Sequence, residues 1–169
     1  MIIWIIGMPG SGKTSIGSEL FDQLKKTHSN CVFIDGDDVR NIMMNDLGHS
    51  IDDRKINANR IRNLCKHLDS QNINVICSIL SLFEEDRAWN RANYQEYFEV
   101  YLEVPIEIIK TRDQKGLYSL KTPKNVVGQD IKFYPPENPD LIIKSYENHT
   151  TIPKATELIL RHIKHRLNA

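Results

Sequence analysis

Neither sign of charge dominates this sequence. Lysine and arginine together number 22, as do aspartate and glutamate, so the formal net charge is zero. That balance excludes partners that bind through overall basicity, nucleic acid and membrane surfaces among them, although a local cluster would still serve a small anion. Long apolar runs are also missing. The most apolar stretch, Met1-Ile2-Ile3-Trp4-Ile5-Ile6, is too short for a membrane span or for the apolar part of a signal peptide, and no charged leader accompanies it. It reads as a buried strand. Cysteine is scarce: Cys31, Cys65 and Cys77 form no CxxC pair, and two of them sit in apolar runs. Buried reduced thiols in a cytoplasmic protein are the expectation. No repeat, linker or low-complexity tract interrupts the chain. Residues 1–169 are therefore read as a single domain, long enough to bury a core without a disulfide or structural metal.

What is present is an alternation of short apolar runs with longer helical stretches. Ile2–Ile6, Cys31–Ile34, Val75–Ile79, Phe98–Val104 and Leu141–Ile143 are nearly continuous in apolar character, as strands covered on both faces must be. Between them, helices are expected over Lys13–Lys26, just after Asp37, over Asp52–Asp69, Glu84–Tyr94 and Ile106–Arg112, and from Pro153 to Leu167. Ile56, Ile61, Leu64, Cys65 and Leu68 would form the apolar face of the third. Thr150 or Thr151 would cap the last. Strand and helix in turn imply an α/β fold with a five-stranded parallel sheet and helices on both faces. The stretch 114–139 has glycine, proline and charge but no period. A loop that long in a compact domain is usually functional, and a lid is expected there.

Gly7-Met8-Pro9-Gly10-Ser11-Gly12-Lys13-Thr14 matches GxxxxGK[ST] between a buried strand and a helix, with Ser15 following. Glycines let backbone N–H groups turn inward around phosphate oxygens, Lys13 brings a cation to the β and γ phosphates, and the Thr14 hydroxyl is placed to ligate Mg²⁺. ATP and Mg²⁺ are the expected cofactors. No Asn-Lys-x-Asp element is present, which argues against a GTPase, and Asp113-Gln114-Lys115-Gly116 follows a helix rather than a strand. The second strand runs into Asp35-Gly36-Asp37-Asp38-Val39-Arg40. Carboxylates at the C-terminal end of a parallel strand face the ligand crevice. One of Asp35 and Asp37 would hold a magnesium-bound water, and the other would accept a proton from an attacking hydroxyl. The residues alone do not rank the two. Arg40 would bind a phosphate of the acceptor.

From here the chain resembles the adenylylsulfate (APS) kinases over nearly its whole length. The P-loop is followed by Asp35-Gly36-Asp37 with Arg40, Asp46-Leu47-Gly48-His49-Ser50, Asp53-Arg54, Asn57 with Arg60, Glu99-Val100-Tyr101-Leu102, Arg112-Asp113-Gln114-Lys115-Gly116-Leu117-Tyr118, and Pro136-Glu137-Asn138-Pro139. The resemblance implies transfer of the γ-phosphate of ATP to the ribose 3′-hydroxyl of a nucleotide carrying a 5′ mixed anhydride. It assigns Arg40, Arg54, Asn57 and Ser81 to the acceptor. Arg112 and the segment from Lys115 through Gly116 and Leu117 would belong to the lid. It also allows a homodimer, which kinases of this type often form.

The departures point further. Where such kinases carry two phenylalanines that sandwich adenine, this chain has His49 and Val126. Their Ser-Pro after the third strand reads Ser81-Leu82, and a Lys-Ala pair in the lid reads Leu120-Lys121. A ring stacked on a base contributes about 1–3 kcal/mol, so losing both disfavours an adenine acceptor. The chain is most similar to the branch that phosphorylates cytidine 5′-diphosphoramidate in capsule phosphoramidate pathways, with His49 against the base. An APS kinase of sulfate assimilation and a non-catalytic nucleotide-binding module are the alternatives. His162 and His165 lack a third metal ligand and read as a solvated helix face, while Trp4, Trp89, Tyr94, Tyr97 and Phe98 read as packing residues.

Overall fold

The structure, a computed structural model, describes residues 1–113, 116, 118–119, 124–146 and 150–167. Five strands form one parallel sheet: β1 (Ile2–Ile6), β2 (Cys31–Asp35), β3 (Asn74–Ile79), β4 (Tyr97–Glu103) and β5 (Leu141–Lys144), in the spatial order β2-β3-β1-β4-β5. The helices are α1 (Lys13–Lys25), α2 (Gly36–Ile42), α3 (Ile51–Ser70), α4 (Glu84–Asn93), α5 (Ile106–Arg112) and α6 (Ile152–Ile163). The unbroken apolarity of β1 follows from its central position. Ile3 and Ile5 pack under Ile16, Leu20 and Leu24 of α1 and Ala155, Ile159 and Ile163 of α6. Ile2, Trp4 and Ile6 point the other way, onto Val39 of α2 and Ile61 and Cys65 of α3. Side chains alternate along a strand, so covering both faces takes apolar residues at every position. Each such side chain taken fully out of water contributes about 1.5–3 kcal/mol.

The elements agree with expectation in kind, and the differences have local causes. The second helix begins at Gly36 rather than after Asp37, because the Asp35 carboxylate accepts the Asp37 N–H and caps the helix there. α6 begins one residue early, at Ile152, capped by Thr151, and it ends at Ile163. The apolar face expected for α3 is narrower than its sequence suggests. Ile61 and Cys65 are buried, but Ile56 and Leu64 are 45 % and 39 % exposed, and Asn57 and Asp69 complete the buried line. The N-terminal part of α3 faces a cavity rather than the sheet, which is why a polar residue lies at its buried position 57. Cys31, Cys65 and Cys77 are buried and free. Among the described residues no helix is long and apolar enough to cross a membrane.

In the segment expected as a lid, the described residues fold against the body. Asp113 accepts the Tyr118 N–H (3.0 Å), and the Tyr118 hydroxyl reaches the Val127 carbonyl (3.1 Å). The Asp130 carboxylate takes the N–H groups of Asn125 and Val126, closing a tight turn.

Candidate active site

The chain leaves β1 at its C-terminal end and turns into α1 through two left-handed glycines, Gly10 (φ 82°) and Gly12 (φ 95°), a backbone that residues with side chains rarely adopt. The turn is tight. A Cβ on Gly7 would lie 2.5 Å from Ser11 Oγ and 3.1 Å from the Leu102 carbonyl oxygen. Lys13 Nζ donates back to the Met8 carbonyl at 2.8 Å, so the ammonium lies across its own loop. The Ser11 hydroxyl is buried without a partner. A cavity of about 160 Å³ opens in front of the loop, lined by Pro9, Gly10, Gly12, Lys13, Thr14 and Ser15 and by the end of β2. These residues fit a phosphate chain: a ring of backbone donors, one cation, a helix N-terminus and an unpaired buried hydroxyl.

The two carboxylates that the sequence left unranked occupy different environments. Asp35 is 7 % exposed, and both of its oxygens are engaged. One accepts the Thr14 hydroxyl at 2.8 Å and the other the Asp37 N–H at 2.9 Å. A hydroxyl and a carboxylate side by side fit a magnesium ion, which takes few protein ligands and keeps phosphate oxygens and waters for the rest. Asp37 is exposed, one residue into α2. It lines the phosphate cavity and also a second cavity, of about 70 Å³, which continues from it. The two share Gly36, Asp37, Arg54, Ile79 and Leu80.

The second cavity gathers Arg40, Arg54, Asn57 and Ser81, all four expected on the acceptor. Arg40 donates to the carbonyls of Gly48 (2.7 Å) and Leu47 (3.4 Å). Arg54 donates to the carbonyls of His49 (2.9 Å) and Asn125 (2.8 Å), tying α3 to a turn within the segment expected as a lid. Burial and the neighbouring Arg40 cation lower the Arg54 pKa. Asn57 Nδ2 faces the Gly36 carbonyl at 3.4 Å, while its buried Oδ1 has no partner. Arg60 forms a two-pronged pair with Asp46 (2.7 and 2.8 Å), bracing the loop that carries His49. His49 is exposed and lines neither cavity, and its pKa is lowered by partial desolvation and by Arg40 and Arg54, so its ring is neutral near pH 7. Val126 is 5 % exposed, packed inside the turn that Asp130 closes.

Other expected residues lie apart. Arg112 ends α5 exposed and lines neither cavity. Gly116 is exposed at φ 63°, and Lys115 and Leu117 lie outside the described residues, as do Leu120 and Lys121. Two further residues shape the site without having been expected there. Ser78 donates to the Lys13 carbonyl at 3.0 Å, fixing the start of α1 to β3. A hydroxyl inside an otherwise apolar strand was its one signal in the sequence. Tyr118, near the Pro9 carbonyl at 3.5 Å, connects the lid segment to the phosphate loop.

Comparison with known proteins adds to this geometry. The sequence profile of the family described as Adenylylsulphate kinase matches residues 1–144. The chain is 38 % identical over 166 residues to the cytidine diphosphoramidate kinase of Campylobacter jejuni, covering 95 % of this chain and 94 % of that protein. It is 37 % identical over 171 residues to the adenylyl-sulfate kinase of Thermodesulfovibrio yellowstonii, covering 98 % and 84 %. Its fold superposes on the Mycobacterium tuberculosis APS kinase solved with AMPPNP and APS at a TM-score of 0.85, with 26 % identity and 96 % of each chain covered.

Proposed function

The chain belongs to the adenylylsulphate kinase family, and from that premise we propose that it phosphorylates the ribose 3′-hydroxyl of a nucleotide 5′-anhydride, with cytidine 5′-diphosphoramidate as its preferred acceptor. It is a phosphotransferase acting on a hydroxyl, with ATP as donor and Mg²⁺ as cofactor. The observation that carries the finer reading is the meeting of two cavities at Asp37 and Arg54. A donor phosphate seated on Gly7–Thr14 would face an acceptor held by Arg40, Arg54 and Asn57. Asp37 takes the proton of the attacking hydroxyl as the ribose oxygen bonds to the γ-phosphorus and the bond to the β–γ bridging oxygen breaks, releasing ADP. Asp35 and Thr14 would hold the metal, which supplies charge neutralisation along the phosphates. Lys13 exchanges its bond to the Met8 carbonyl for the phosphate oxygens. Most of the rate then comes from alignment and from cancelling charge in a fixed geometry. Residues 114–139 act as the lid of this single domain, and Arg112 with the segment from Lys115 would move onto the nucleotides. The enzyme would work in the cytoplasm as a source of activated phosphoramidate for capsular polysaccharide, alone or as a homodimer.

Preference for cytosine rests on what stands where the adenine clamp would be. His49 is one neutral, exposed ring, and Val126 is buried and presents no flat face. With the loss of stacking at about 1–3 kcal/mol per ring, kcat/KM for cytidine diphosphoramidate is expected to exceed that for APS by at least about ten-fold. A coupled ADP-release assay with each acceptor, CDP, and no acceptor measures this. Faster turnover of APS would overturn the acceptor and favour the second reading, an APS kinase, which the 37 % identity to such an enzyme supports nearly as well. The absence of multiple turnovers with any acceptor would leave a binding module. His49→Phe alone is expected not to restore efficient APS use, since Val126 supplies no second ring, and efficient turnover by that variant would refute the two-ring account.

A further inference from the structure

The wall of the acceptor cavity formed by Leu80, Ser81, Leu82 and Phe83 has a shape that the phosphoryl transfer itself does not require. Ser81 is a non-glycine residue at φ 52°, a left-handed backbone that persists only where its surroundings hold it. Two buried donors do so from behind. Trp4 Nε1 donates to Ser81 Oγ at 3.3 Å, and Arg87 Nη1 donates to the Ser81 carbonyl at 2.9 Å. Arg87 is only 6 % exposed, and its charge acts on the equally buried Glu99, which also accepts the Tyr97 hydroxyl (2.6 Å) and lies 3.6 Å from Arg91. Sequestering a guanidinium is costly unless it is well paired, and among the described residues this one donates its hydrogen bond to a loop carbonyl beside the site.

The carbonyl and hydroxyl of Ser81 are both drawn to the back, and the backbone N–H groups are among the polar groups left to this loop. Among the described residues nothing accepts the Leu82 N–H. The same cavity brings in Arg40, Arg54 and the unpartnered Asn57 Oδ1. Its 70 Å³ has room for a terminal group of a few atoms. Backbone N–H groups around a left-handed residue make an anion-binding concavity.

We propose that Leu82 is a specificity-determining residue whose backbone N–H donates to the terminal anionic group of the acceptor's 5′-anhydride, and that Arg87 is the positioning residue that, with Trp4, aims it there. The inference rests on the anhydride reading above and assigns the end of that acceptor to this cavity. A leucine supplies the donor, whereas a proline at 82 would have no N–H. A negative charge shared by two oxygens is a stronger acceptor than the same charge spread over three. The extra donor therefore favours a phosphoramidate terminus over a sulfate.

The test compares wild type, Leu82→Ala, which keeps the N–H, and Leu82→Pro, which removes it. Kinetics are measured with cytidine diphosphoramidate and with APS, together with KM for ATP and inhibition by CDP and by CMP, which lacks the terminal group. Leu82→Pro is expected to lose about 10- to 100-fold in kcat/KM on whichever anhydride wild type prefers, the worth of a hydrogen bond to a charged group, with KM for ATP unchanged. CDP inhibition should weaken with it and CMP inhibition should not, while Leu82→Ala, which keeps the donor, should lose less than Leu82→Pro on each measure. Equal responses to CDP and CMP, or a proline variant as active as the alanine one, overturn the proposal. If the proline lowers Tm, Arg87→Met and Arg87→Lys decide the matter. The methionine should raise acceptor KM selectively and the lysine should restore much of it, whereas parallel loss of acceptor and ATP binding overturns the positioning role. A wild type that prefers APS would refute the cytidine reading and leave the Leu82 comparison decisive on that anhydride.

Discussion

Asp37→Asn is expected to lower kcat by about 10²- to 10⁴-fold, the usual contribution of a positioned general base, while KM for ATP and the melting temperature change little. The substitution preserves size and shape and removes only the ability to take a proton. Asp37 is the right group because of where it stands. It is exposed at the junction of the two cavities, whereas Asp35 is buried beside the Thr14 hydroxyl and caps α2. Asp35→Asn is accordingly expected to show itself as a higher Mg²⁺ requirement rather than as the same loss at saturating metal. Rapid-quench measurement of a single turnover separates the chemical step from product release. If Asp37→Asn retains the wild-type chemical rate, the assignment of base and metal residue must be exchanged or abandoned.

The second large effect concerns stability. Gly17 lies in α1 where the helix packs on β2 and β3. A Cβ there would stand 2.4 Å from Ser78 Oγ and 2.6 Å from a Phe33 ring carbon. Gly→Ala in a helix ordinarily gains about 1 kcal/mol from propensity. Here the clash should prevail, because neither neighbour is the loose end of a flexible chain. Ser78 is buried and donates to the Lys13 carbonyl, and Phe33 stacks on Phe21. Overpacking of this kind costs about 1–3 kcal/mol and at times more, so Gly17→Ala should unfold at lower urea with an unchanged slope. Removing the nearest obstacle with Ser78→Ala in the same background should recover part of the loss. A Gly17→Ala protein as stable as wild type would mean that α1 can lift off the sheet without penalty. Because α1 carries Lys13 and Thr14, the same displacement should raise KM for ATP.

The sheet and the phosphate loop were legible because their signals are local. Apolarity at every position of Ile2–Ile6 follows from two covered faces, and glycines spaced along Gly7–Thr14 follow from a backbone that must turn left-handed twice. The start of α2 was misplaced because its cap is a side chain on the strand before it. The apolar face of α3 was read too wide because spacing along a helix says which residues share a side. It does not say whether that side meets a sheet, a cavity or water. The family resemblance put Arg112 in the lid over the nucleotides, and in this structure it ends α5 exposed and lines neither cavity.

By itself the sequence determined the fold class and marked the phosphate loop, since each is written in spacing along one element or in a short motif, while the residues expected around the acceptor came from the family resemblance. Only the tertiary structure decided how those residues divide the work. Thr14 and Asp35 come within 2.8 Å although 21 residues separate them, Arg54 reaches Asn125 across 71, and Ser81 is held by Trp4 across 77. Contacts of that kind depend on how parallel strands and their crossover helices stack in space. No periodicity along the chain encodes them.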